Sequence, residues 1–280
     1  MPTSIQRWKL VGSAVVLVAG LGGPVPPARA SLPGHRWVEL AKDGLQPDRL
    51  HHALVYDAQN EILWSYGGIA ADAQLGEPTD TLFRLRLADP SAGWEAVQAG
   101  GSRPPPLAYH SAVYDAIGQR MIVYGGITSR SGGVLRLAPK AALWLLDLRY
   151  PNRVAWSQAN VAGLAEGRLG HAAAYLRGWM VVSGGSPDGR QVSDSQEALR
   201  LFDLQWVPLP RAGIGARVGH ALVYDEVDRR LLAYGGFTAL GASPDEGRAT
   251  AAVASLDLGS DPGKAKGPWQ PLTIADTAGL

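Results

Sequence analysis

The chain has 280 residues, a length that suits one large domain or two small ones, and only 18% of them are charged, with 26 Lys and Arg against 25 Asp and Glu. So even a balance gives no polyanion-binding surface, and nucleic acid is not an expected partner. Cysteine is absent, which excludes disulfides, thiol nucleophiles, thiolate metal sites and a lipidated cysteine anchor, while 35 glycines and 20 prolines beside a 46% hydrophobic fraction describe a turn-rich chain with a packed core.

Residues 1–30 read as a cleaved secretory signal. Arg7 and Lys9 precede an apolar run from Leu10 to Leu21, and GGPVPPARA then offers Ala28 and Ala30 in the small-x-small spacing of a cleavage site. The apolar run is too short to span a bilayer, which needs about 20 residues. Three basic and no acidic residues lie in this segment, so residues 31–280 carry 23 basic against 25 acidic side chains. An exported chain, periplasmic, secreted or at the cell surface, is the expectation, with no stable membrane span after cleavage.

Four copies of one unit follow. RLHHALVYDAQNEILWSYGG ends at Gly68, LAYHSAVYDAIGQRMIVYGG at Gly126, RLGHAAAYLRGWMVVSGG at Gly185 and RVGHALVYDEVDRRLLAYGG at Gly236. His52, His110, His171 and His220 stand 15, 15, 13 and 15 residues before the first glycine of each pair (Gly67, Gly125, Gly184, Gly235). Apolar runs from Thr81, Leu143, Leu199 and Val253 come next, then Trp94, Trp156, Trp206 and Trp269. Doubly apolar HALVYD and LLAY segments, joined by DAQN, DAIG or DEVD, predict inner strands linked by hairpins. The repeats span about residues 48–97, 106–159, 167–209 and 216–273, and no amphipathic helix appears after residue 30.

The double glycine after an apolar tetrad, the apolar-Asp-Leu strand and the spaced tryptophan resemble the kelch repeat. That resemblance implies an all-β propeller domain over residues 31–280, with four four-stranded blades, used mostly as a binding scaffold. Glycine pairs recur at 58, 59 and 51 residues, above the kelch period of roughly 50, with the excess in the loops between second and third strands. RWVEL at Trp37 is an outer strand without a blade of its own. It predicts an incomplete ring awaiting a further repeat or a partner; the alternatives are that Trp37 displaces Trp269 and closes four blades, or that the blades form an open arc whose exposed edges invite pairing with other chains.

Positions repeated in every copy answer to what every blade needs, so the histidines, glycine pairs and tryptophans are assigned to structure, and function to what differs. The loops at 69–80, 127–142, 186–198 and 237–251 are the expected binding elements. Arg130, Arg136 and Lys140 make the second loop basic while the first and fourth loops are acidic, an asymmetry suited to a protein or glycan partner, and Asp188, Asp194 and Asp245 join the three basic residues as candidate ligand contacts. Asp188 and Asp194 match a calcium loop only weakly, and no metal or cofactor is expected. The galactose oxidase type of kelch propeller needs a cysteine, which this chain lacks. A sugar lyase, hydrolase or epimerase on the same ring is the competing reading; it requires acid and base groups converging on the channel, from loop carboxylates such as Asp72, Glu77, Asp80, Glu197 and Glu246. No catalytic residue is assigned.

Overall fold

A computed structural model describes residues 48–70, 76–130, 134–139, 142–161, 167–240, 247–259, 261–265 and 267–273. The signal segment, the Trp37 strand, Asp72, Lys140, Asp245 and Glu246 lie outside them. The described chain is a β-propeller of four antiparallel blades. Blade one comprises Ala53–Asp57, Ile62–Tyr66, Leu82–Arg86 and Glu95–Val97; blade two Ser111–Asp115, Arg120–Tyr124, Ala142–Asp147 and Ala155–Asn160. Blade three comprises Ala172–Leu176, Trp179–Ser183, Gln196–Arg200 and Gln205–Pro208; blade four Ala221–Asp225, Arg230–Tyr234, Val253–Asp257 and Gln270–Leu272. Gly100–Gly101 adds a short parallel strand to the outer edge of blade two.

The aspartate that closes each inner strand makes the hairpin behind it. Asp57 accepts from the backbone N–H groups of Gln59 and Asn60, Asp115 from Ile117 and Gly118, and Asp225 from Val227 and Asp228. A carboxylate oxygen thus does the work of a turn carbonyl. Blade three has no such aspartate and turns through Arg177 and Gly178, both at positive φ.

Because both faces of an inner strand are apolar, the core consists of layers between blades. One layer holds Trp64 and Tyr66 with Met121 and Trp156, a second Ile122 and Tyr124 with Met180 and Trp206, and a third Val181 with Leu231 and Trp269. The inner strands accordingly pack in series, blade one on two, two on three, three on four. Ser111–Asp115 is buried throughout, whereas Ala53–Asp57 and Ala221–Asp225 are buried at alternate residues only, and in opposite phase. Blades one and four therefore each leave one face partly open.

One alternative and one expectation need correcting. Val253–Asp257 lies between Arg230–Tyr234 and Gln270–Leu272, so the strand that follows Trp269 keeps its place and is not displaced by Trp37. The third strand of blade three begins at Gln196, not Leu199. Pairing of Met180 with Leu199 and of Val182 with Glu197 sets that register and puts the Asp203 of LRLFDL in a turn. The apolar-Asp-Leu pattern there is shifted by three residues from its place in blades two and four.

Candidate binding face

The repeated residues interlock between neighbours. A β-carbon on Gly67, Gly125 or Gly184 would meet Cε1 of His110, His171 or His220 in the next blade at 2.8, 2.7 and 2.9 Å. The second glycines donate N–H to the next blade: Gly68 to Leu107 O, Gly126 to Arg168 O and Gly185 to Arg217 O, each at 2.8 Å. Ser111 Oγ sits 2.7 Å from His171 Nε2, and Ser183 Oγ 2.9 Å from His220 Nε2. Burial holds His110 and His220 down to about 3 and His171 well below its ordinary value. Neutral imidazoles locked between blades are not poised for acid-base work at neutral pH. Among the described residues, no group of three His, Asp or Glu side chains could hold a metal ion.

Each Arg three residues before a histidine reaches the carbonyl of the first glycine in its own blade: Arg49 to Gly67, Arg168 to Gly184, Arg217 to Gly235. What it faces next varies. Arg49 stacks over Phe83 at 4.6 Å, whereas Arg168 donates to Glu197 Oε2 at 2.6 Å with both side chains 2% exposed. Glu197 was expected in a loop. It is instead a buried strand residue at the position that Phe83 and Trp144 hold in blades one and two.

The loops between second and third strands gather at one end of the propeller, and the first three touch in series. Arg130 N donates to Glu77 Oε2 at 3.0 Å, tying the second loop to the first. Leu135 reaches the third, its Cδ1 filling the space above Gly189. Arg136 is exposed in a two-residue strand paired with Ile127–Ser129. Asp188, in contrast, is spent on its own loop, accepting from Arg190 N and Gln191 N at 2.8 and 2.7 Å, bonds that lower its pKa. Asp194 lies 3.8 Å from Arg211. These two aspartates do not combine into a cation cage.

Sequence reasoning missed the centre of this face. The residue before each repeated histidine adopts positive φ: His51 58°, Tyr109 56°, Gly170 63°, Gly219 66°. Their backbones join in series, Tyr109 N to His51 O, Gly170 N to Tyr109 O and Gly219 N to Gly170 O. Blades three and four put glycine there, as the angle favours; blades one and two carry a histidine and a tyrosine, each strained by about 1 kcal/mol or more. The two rings stack at 3.8 Å. Beneath and beside them, Tyr109, Leu135 and Leu137 pack on a buried cluster of Ile69, Ala108, Ile127 and Leu169. The signal was legible as H, Y, G, G in the four aligned copies.

A family model described as the KLHDC2/KLHL20/DRC7 kelch-repeats domain matches residues 30–213. The chain belongs to the kelch-repeat family. Multiple epidermal growth factor-like domains protein 8 is similar over part of this kelch chain: the human protein is 30% identical over 203 residues, 68% of the chain and 6% of that protein, and the rat protein 29% identical over 155 residues, 53% of the chain and 5% of that protein. The chain thus spans only about a twentieth of the length of these curated relatives. The solved structure of YjhT superposes with a TM-score of 0.53 at 15% identity, covering 67% of this chain and 59% of that one, a likeness of fold. A kelch propeller supports a protein-binding scaffold role.

Proposed function

We propose that this kelch propeller is an exported scaffold that binds a protein through its loop face, with the His51–Tyr109 stack at the centre and Arg130 and Arg136 beside it. The observation that carries the reading is the strained pair itself. Two blades show that glycine satisfies the backbone at this position, so a histidine and a tyrosine there cost stability that their own blades do not need. Aromatic rings over an apolar base with arginine alongside are the composition of protein-binding hot spots. Export is supported by Arg7, Lys9, the Leu10–Leu21 run and the Ala28–Ala30 site; mass spectrometry of secreted material should then find Ser31 as the first residue, and an intact Met1 would contradict it.

The binding claim is tested by affinity capture from the surface of the source cell with the wild-type chain, with His51→Gly/Tyr109→Gly, and with a control altered at the opposite end, Phe202→Glu/Val227→Glu, at two exposed turn residues. A protein held by wild type and control but lost by the glycine pair is the expected result. Equal capture by all three would remove the stack from the site, and a glycan held in place of a protein would change the partner class.

A further inference from the structure

We propose that the open face of blade four docks the open face of blade one in a second copy of this chain, head to tail. Three interfaces inside the chain define the contact. In each, a glycine pair receives the histidine of the following blade, and in the first two a tyrosine just before the pair meets that blade's tryptophan, Tyr66 with Trp156 at 5.0 Å and Tyr124 with Trp206 at 5.3 Å.

Blade four carries the same donor half. Tyr234 ends its second strand and Gly235 and Gly236 follow it, yet Tyr234 is 53% exposed where Tyr66 and Tyr124 are 1% and 0%. A β-carbon on Gly235 would meet only Thr250 O at 3.5 Å, with no histidine near it, and among the described residues Gly236 N–H has no acceptor. Ala221 and Val223, on the same face of the sheet, are partly exposed.

Blade one carries the receiving half. His52 and Trp94 are only partly buried where His110, His171, His220, Trp156, Trp206 and Trp269 are buried. Leu54 and Tyr56 are half-open on its outward face. The two halves are in opposite phase along the inner strand, as the two sides of one interface must be. A second copy therefore extends an interface already made three times. Contacts of this kind are heterologous: the two patches differ, and each copy offers both.

Sedimentation of the full chain over a concentration series should show association beyond the monomer. Tyr234→Glu and His52→Glu should each abolish it, with Trp94→Glu replacing the second should His52→Glu lower the melting temperature. An equimolar mixture of Tyr234→Glu and His52→Glu should give a dimer and nothing larger, because one copy keeps an intact receiving face and the other an intact docking face. A wild-type chain that stays monomeric throughout, association that survives Tyr234→Glu, or a mixture that stays monomeric would each overturn the proposal.

Discussion

A β-carbon added to Gly125 would lie 2.7 Å from Cε1 of His171, one blade away, and 2.7 Å from Arg168 O. The glycine's missing side chain is the room in which the next blade seats its histidine, so what looks like a repeat motif is one half of an interface. With φ of 68°, Gly125 also holds a backbone angle that L-residues adopt at a cost of about 1–2 kcal/mol.

Gly125→Ala should therefore destabilise the chain by about 2–4 kcal/mol, from backbone strain plus steric displacement of a neighbouring backbone. Gly235→Ala has the same angle problem without the neighbour and should cost about 1 kcal/mol in the monomer. Equal losses in chemical denaturation would show that the histidine contact contributes little.

The buried histidines make stability fall on the acid side. Burial depresses the folded-state pKa of His110 and His220 to about 3 and that of His171 well below its ordinary value, so the unfolded chain takes up protons first. Their contribution is complete well above about pH 6.5 and is lost progressively as pH falls toward 3, by up to about 1.4 kcal/mol per histidine for each pH unit. Urea denaturation at pH 7.5, 6.5 and 5.5 checks the slope. His220→Asn should be less stable at pH 7.5 and its slope shallower by one proton.

Glu197→Gln should cost about 3–5 kcal/mol, since it leaves the buried Arg168 guanidinium without its counter-charge. Blade two holds Leu107 and Trp144 at the two corresponding positions, both buried. Arg168→Leu/Glu197→Trp copies that arrangement and should recover most of the loss. A double variant no better than Glu197→Gln would mean that the pair is held by more than its charges, with Ser195 Oγ, which hydrogen-bonds both partners, as the first place to look.

The parts of this fold that were legible in sequence are those where local chemistry and repetition agree. HALVYD, its Asp-led turn and the glycine pair each specify their own conformation, and four copies fix the blade. The third strand of blade three was not legible, because its first residues, Gln196 and Glu197, are polar; only the buried Arg168 from the start of the same blade makes a strand position suitable for Glu197. The short pairing of Gly100–Gly101 with Ala155 and Trp156 depends on contacts 55 residues apart and leaves no local pattern. At the candidate site, charge drew attention to Asp188 and Arg136, whereas His51 and Tyr109, one residue before the repeated histidine, stand out in sequence only as a departure from the glycines of the other two copies, and the positive φ shows what that departure costs.

Hydrogen–deuterium exchange of the chain with and without its captured protein partner tests the central claim most directly. Binding through the loop face predicts new protection in residues 76–80, 127–130, 134–137 and 186–192 and at Tyr109, with exchange unchanged in the turns at 116–119, 149–152, 202–204 and 226–229. Protection confined to those turns, with the loops exchanging as in the free chain, would contradict the account and move the binding site to the opposite end of the propeller.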